Sequence, residues 1–362
     1  MNETTIAVVG NRNRRVDMFV RACDDAGVRA RPITWTEVLD DPENGVWRAR
    51  LAGCAAVRID SPGEDPAVDA RLRGGPVLAT GEFGDKAAWH TGFVQAVRRI
   101  EHAASDAGTR TTLRADDVAV LFDKAATHRR LAAAGAPVPP ALSAPVESWD
   151  ELAEAVADRG WRRVFAKPVR GSSAAGVVAL TLDGRGRVAA TAHVALVDGR
   201  PVADLRPHRY RDVDAARLID ALGPQRLHVE RWFPKAHLPD GRTFDLRVLV
   251  IAGRPTHVVV RTSYGPITNL HLGNARGDLA RVRGLLGAET VDRALDVAGA
   301  AAGVFDSCLQ VGVDVMLGAD GTIAVAEANA FGDLLPRVPA LHAPHRDTYA
   351  EQVAVLAARA AA

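Results

Sequence analysis

The sequence predicts a mixed α/β and α+β chain, with a small parallel α/β domain at the N-terminus followed by two α+β segments. Three observations predict it. Residues 5–9, 15–26 and 29–33 read in turn as an apolar strand, an amphipathic helix and a second strand, which is a βαβ opening. After the polar stretch 105–117 the pattern changes to strands joined by Gly-rich loops and hairpin turns. The 362 residues also exceed what one hydrophobic core usually serves, so two or three units are expected.

Each element has a local reason. Residues 55–59 and 77–79 supply further short strands of the first unit, and 93–104 a helix. The first turn, Gly10-Asn11-Arg12-Asn13-Arg14-Arg15, offers an anion a helix N-terminus, but it lacks GxGxxG and a plain βα turn is the better reading. Arg58, Asp60, Ser61 and Glu64 sit where strand 55–59 ends in Pro62-Gly63. Ligands of open α/β sheets bind beyond the carboxyl ends of strands, which makes Arg58, Asp60 and Ser61 candidate substrate contacts. Helix 122–135 begins at Asp123-Lys124 and stops at Gly135 before a proline-rich run, and 149–158 is a second helix. Strand 163–168 delivers Lys167 into Arg170-Gly-Ser-Ser-Ala-Ala-Gly176, and strand 177–182 follows. A lysine before a Gly/Ser loop is a phosphate cradle, because small residues let backbone N–H groups approach phosphate oxygens. It is not a Walker A loop, since GxxxxGK[ST] is absent. The competing reading is a solvated lysine at an ordinary Gly-Ser turn. Strand 187–197 and helix 212–222 lead to 227–233, LHVERWF. Residues 243–251 and 256–261 form a hairpin through Gly253-Arg254, with Asp245 and Arg247 on one face. Its register decides whether Arg261 joins them. Loop 263–276, rich in Gly, Pro and Asn, presents Asn269 or Asn274 to a substrate. Helices 290–305 and 346–361 complete the chain.

The stretch 310–336, QVGVDVMLGADGTIAVAEANAFGDLLP, carries the most chemistry. Two β-prone runs flank Asp320-Gly321, a two-residue type I′ hairpin signal. Counting back from that turn puts Asp314 opposite Glu327, with Asn329 on the same face. Opposed carboxylates with Cβ atoms about 5 Å apart repel unless a cation neutralises them. Val313, Val315, Leu317, Ala324, Ala326 and Ala328 point the other way and read as core. Two carboxylates and an amide oxygen, with room left for phosphate and water, suit Mg²⁺. A surface hairpin with scattered acids is the bland alternative, but such a face should also carry Lys or Arg.

Composition narrows the partners. The chain has 45 basic and 44 acidic residues, a net charge of +1, and no basic run or aromatic-basic alternation, which argues against nucleic acid. Cys23, Cys54 and Cys308 are widely spaced and outside CxxC, and read as core residues in a reducing compartment. His342-Ala-Pro-His345 is the nearest approach to zinc spacing and reads as a loop. No apolar run reaches membrane-spanning length and no signal segment is evident, so a cytoplasmic protein with no membrane partner is expected.

Taken in order, Asp123-Lys124, AKPVRGSSAAG, ERWF, FDLRV and GVDV with AEAN resemble the ATP-grasp superfamily over about 113–336, in particular carboxylate-amine ligases of an uncharacterised bacterial branch. The relatives include D-alanine-D-alanine ligase, glutathione synthetase and ribosomal-protein glutamate ligase. The resemblance implies an ATP-grasp fold, with an N-terminal α/β domain (1–112) and two α+β subdomains (113–226 and 227–362) clamping ATP. It implies that Lys124 and Lys167 hold the α- and β-phosphates, and that Gly171, Ser172, Ser173 and Gly176 belong to a phosphate lid. Glu230, Arg231, Trp232 and Phe233 would lie along adenine. Asp314, Glu327 and Asn329 match magnesium ligands, for one or two Mg²⁺ ions or Mn²⁺. Arg247, with Arg261 as second candidate, would neutralise the transferring phosphoryl group. One departure concerns the ribose: where many members carry a carboxylate after the hinge, this chain has Lys235, Ala236 and His237, with Asp240 the nearest substitute.

The expected activity is ATP- and Mg-dependent joining of a carboxylate to an amine through an acyl phosphate, on a small molecule, amino acid or peptide. Phosphoryl transfer needs positioning and charge neutralisation, which explains a site of Lys, Arg and Mg²⁺ without a nucleophilic triad. The alternatives are an ATP-grasp small-molecule kinase and a non-catalytic nucleotide-binding protein. A homodimer stays open.

Overall fold

The structure is a computed structural model that describes residues 4–171, 174–332, 335 and 337–361. The chain opens with β1 (Thr5–Gly10), α1 (Arg14–Asp25), β2 (Arg29–Thr34), α2 (Trp35–Asp40), β3 (Ala56–Ile59), α3 (Pro66–Arg73) and α4 (Lys86–Asp106). The three strands form a parallel sheet in the order β2-β1-β3. Local caps start its helices: Asn13 accepts from the Arg15 and Val16 amides at the head of α1, and Asp65 caps α3. The expected strand at 77–79 does not form. The place beside β3 is taken by 110–112, whose backbone bonds Val57 on both sides, at 2.8 and 2.9 Å. The 77–84 loop instead reaches across to the second sheet.

Two short helices, α5 (Ala115–Leu121) and α6 (Lys124–Ala133), precede α7 (Trp149–Asp158), β4 (Arg163–Pro168), β5 (Val178–Leu182), β6 (Val188–Val197), β7 (Arg200–Arg211), α8 (Asp212–Leu222) and β8 (Leu227–Arg231). The five strands form an antiparallel sheet in the order β7-β6-β5-β4-β8. One face of this sheet packs on α7 and α8 through Leu152, Val156, Leu218 and Leu222, in a core of its own. That core extends into β8, past the boundary expected at 226, because β8 pairs with β4.

The last part comprises β9 (Thr243–Ile251), β10 (Arg254–Ser263), β11 (Ala275–Arg276), α9 (Leu279–Leu286), α10 (Ala288–Gly303), β12 (Gln310–Leu317), β13 (Ile323–Asn329) and α11 (Thr348–Ala361). Its antiparallel sheet runs β11-β10-β9-β12-β13. Core residues continue without a break from Phe93 and Val97 of α4 to Phe244, Val313 and Val315. On the other side of β1, Ile6, Val8 and Phe19 pack against Leu249, Ile251 and Tyr349. The first and last sheets are therefore fused by two cores, and the middle sheet stands on its own.

Asp314 does face Glu327, although the connecting turn differs from expectation. Gly318 and Thr322 close the loop, so three residues rather than two lie in it, and Gly321 takes the left-handed φ of 78°. A bulge between Asp314 and Val315 then absorbs the extra residue. The two shifts cancel at Asp314. They do not cancel before it, so Val325 rather than Ala324 or Ala326 opposes Val315 in the core, and Ala326 faces the cavity described next.

Candidate active site

A cavity of about 110 Å³ lies between the middle and last sheets. Alternation along β4 buries Val164 and Ala166 under α7 and α8 and sends Phe165 and Lys167 into the cavity. Lys167 Nζ lies 2.6 Å from Glu230 Oε2 on the neighbouring strand, and the other Glu230 oxygen meets His228 Nε2 at 3.0 Å. Burial would raise the Glu230 pKa, but Lys167 and His228 outweigh it and hold the carboxyl down at about 2. Lys124 enters from the first turn of α6, positioned by the Asp123 cap. Its Nζ donates to the Gly171 carbonyl at 2.7 Å and meets Glu327 Oε1 at 2.9 Å, which ties the glycine loop to β13. Glu327 is held below the usual carboxylate range, since Lys124, Lys167 and Arg247 overcome the cost of its burial.

The last sheet supplies a second charged layer. Arg247 donates to both oxygens of Asp314 through Nε and Nη2. Arg261 is directly opposite Asp245, so the register left open by the sequence brings it in. Its Nε donates to Asp245 Oδ1 at 2.7 Å and its Nη2 lies 3.0 Å from Asp314 Oδ2. Lys235 Nζ approaches Asp245 Oδ2 at 3.3 Å and Thr268 Oγ1 at 3.1 Å. Burial pulls the Lys235 pKa down, whereas Asp245 is depressed because Arg261 and Lys235 outweigh its burial.

Lys124, Lys167, Glu230, Arg231, Phe233, Arg261, Asn269, Asp314 and Glu327 thus line one cavity, as does Asp245. Arg247 stands behind Asp314, and Asn329 pairs with Gly312 one pleat beyond Glu327. Gly176 closes its loop at φ 78°. Ser172 and Ser173 fall outside the described residues. Trp232 is not in the cavity: its ring stacks on Phe165 at 4.6 Å. Lys235, where a ribose-binding carboxylate was sought, is an internal ion-pair partner, and Asp240 bonds Arg242 on the surface.

Arg58 and Asp60, expected to touch a substrate, line neither this cavity nor the larger one described below. They are 2% and 1% exposed, because β3 is buried on both faces. Arg58 lies 4.3 Å over the Phe19 ring and donates to Gln352, and Asp60 accepts from Arg15. Ser61 accepts from the Gly63 amide and stays in its own turn. Its neighbours Gly63 and Glu64 do line a larger cavity, of about 410 Å³, with Trp89, Phe122, Arg170 and Gly171. Asn274 bonds the backbone of its own loop. His228 and Thr268 were missed. His228 was findable, since two residues before Glu230 on a strand is the same face.

The donor set fits a hard divalent cation. Asp314 and Glu327 are opposed and Asn329 adds an amide, while among the described residues no group of three or more His, Cys, Asp or Glu is placed to hold a metal ion by itself. A cation there needs further oxygens from a ligand.

No family model and no curated protein matches the chain. Solved structures do. The ATP-grasp ligase PsnB complexed with minimal precursor superposes with a TM-score of 0.58 at 17% identity, covering 99% of this chain and 100% of that one. D-cycloserine synthetase DcsG gives 0.57 at 19% identity, over 98% and 99%. D-alanine–D-alanine ligase from Bacillus anthracis complexed with ATP gives 0.52 at 13%, over 91% and 87%. At such identities the likeness is one of architecture, and this chain is built on the ATP-grasp fold.

Proposed function

We propose that the protein is an ATP- and Mg-dependent ligase that joins a carboxylate to an amine. The observation that carries this reading is the cavity between the two sheets. Five cations, Lys124, Lys167, Lys235, Arg247 and Arg261, pair with four carboxylates, Glu230, Asp245, Asp314 and Glu327, and Arg231 adds a sixth positive charge to the lining. A site whose ion pairs nearly balance, with a small positive excess, accepts a triphosphate together with its counter-cation more readily than a triphosphate alone. Lys124 and Lys167 exchange Glu327 and Glu230 for phosphate oxygens, and Phe165, Arg231 and Phe233 form the wall for the base. Asp314, Glu327 and Asn329 would hold Mg²⁺, whose chemistry is to neutralise charge on the transferring phosphoryl group. Arg247 and Arg261 add fixed positive charge beside it.

In the first step a carboxylate oxygen attacks the γ-phosphorus and ADP leaves. In the second the amine attacks the acyl carbon, phosphate leaves and the nitrogen loses a proton. The 410 Å³ cavity beside Gly171 is where we place the acceptor, since it opens next to the loop that Lys124 holds. PsnB is described in complex with a precursor peptide, and a peptide or amino acid is the acceptor class we propose here.

Hydroxylamine trapping tests the reaction. Mg-ATP, hydroxylamine and a panel of amino acids and peptides should give ADP and a hydroxamate with at least one member. ADP without any hydroxamate would assign a hydroxyl acceptor, and hence a kinase.

A further inference from the structure

A surface groove of about 420 Å³ shares Arg231 with the nucleotide cavity and lies outside the site described above. Three segments build it. Arg159 and Gly160 end α7, Trp161, Arg162 and Arg163 lead into β4, and Arg231, Trp232 and Pro234 follow β8. Pairing of Val164 with Arg231 brings these segments together, so that Arg231 joins the three arginines of the run 159–163. Four of its eight lining residues are arginines and none is a carboxylate. Among the described residues none of the four forms an ion pair. Arg159 donates only to the Ala155 carbonyl, and Arg163 lies 4.0 Å over the Trp232 ring. Arg162 lies across Gly184, where a Cβ would fall 1.3 Å from its Nη1.

Four uncompensated guanidinium groups on one wall repel one another, and an anionic ligand relieves that repulsion. Their forks match carboxylates in a bidentate geometry, and Trp161 and Trp232 add apolar faces that a bare phosphate chain would leave unused. The charge is also local. With a net charge of +1 the chain has no extended positive field to hold a nucleic acid backbone. We propose that this groove binds an acidic peptide segment, a run of Asp or Glu side chains with an apolar residue among them. The groove adjoins the nucleotide cavity, because Trp232 packs on Phe165 and Arg231 lines both spaces.

The test is fluorescence anisotropy with a labelled pentapeptide of four glutamates around a central phenylalanine. The peptide should bind, weaken as salt is raised, and lose affinity about tenfold or more with Arg159→Gln/Arg162→Gln. Both side chains are exposed, so that variant should keep the wild-type melting temperature and Mg-ATP response. The glutamine version of the peptide should not bind. Equal affinity of variant and wild type, no binding at about 1 mM peptide, or displacement by a single-stranded oligonucleotide at lower concentrations than by tripolyphosphate or unlabelled peptide would overturn the proposal.

Discussion

Glu230 is a buried carboxylate whose charge rests on two neighbours, Lys167 and His228. Removing one partner of a buried pair leaves the other uncompensated, so Lys167→Met should cost about 3 kcal/mol in urea denaturation, and adding Glu230→Gln should recover most of it. The pH dependence has a fixed sign. A carboxyl whose pKa falls from 4.5 unfolded to about 2 folded contributes stability that is complete above the first value and lost as pH drops towards the second. Stability measured between those two values should therefore fall with pH, and less steeply in Glu230→Gln. Asp314 has a different job. It faces Arg247, Arg261 and, across the strand, Glu327. Asp314→Asn should lower stability, since Arg247 and Arg261 lose their shared partner, and in the folded variant reduce Mg-ATP turnover about a hundredfold or more, read as ADP release. Lys167, Asp314 and Glu327 were legible in the sequence because a β-strand fixes the face of each side chain. The burial of Arg58 and Asp60 was not legible, because nothing local shows that β3 is covered on both sides.

Among elements, β12 is buried along its whole length and lies between β9 and β13. An added Cβ at Gly312 would stand 2.8 Å from Gly332 Cα and 3.6 Å from Arg247 Cδ. Backbone cannot yield as a flexible side chain can, so Gly312→Ala should destabilise by about 2 kcal/mol and raise the KM for ATP. This glycine reads as an ordinary strand residue until the chain beyond β13 folds back over it. The hairpin teaches a related lesson. The Asp-Gly signal located the turn, but its three-residue form and the offsetting bulge depend on packing. β7 escaped detection because it is an edge strand with no fully buried residue and with Pro201 and Pro207, lacking apolar alternation.

At the scale of the whole molecule, the first and last sheets share cores while the middle sheet has its own. The candidate site lies between these two bodies, and Lys124 of α6, which packs with the first and last sheets, reaches across it to the Gly171 carbonyl of the middle sheet's loop. Order along the chain, from lysine and glycine loop to acidic hairpin, was enough to anticipate the architecture. The pairing of Lys235 with Asp245 was not, since it joins a residue of the loop after β8 to a strand through tertiary packing alone. The account stands most directly on one quantity, the rise in melting temperature with Mg-ATP. At about a hundred times Kd, binding to the folded chain should add about 2.7 kcal/mol of stability, and Lys167→Ala/Glu327→Gln should abolish the rise. No rise in the wild type, or an equal rise in the double variant, would contradict the assignment of this cavity to the nucleotide.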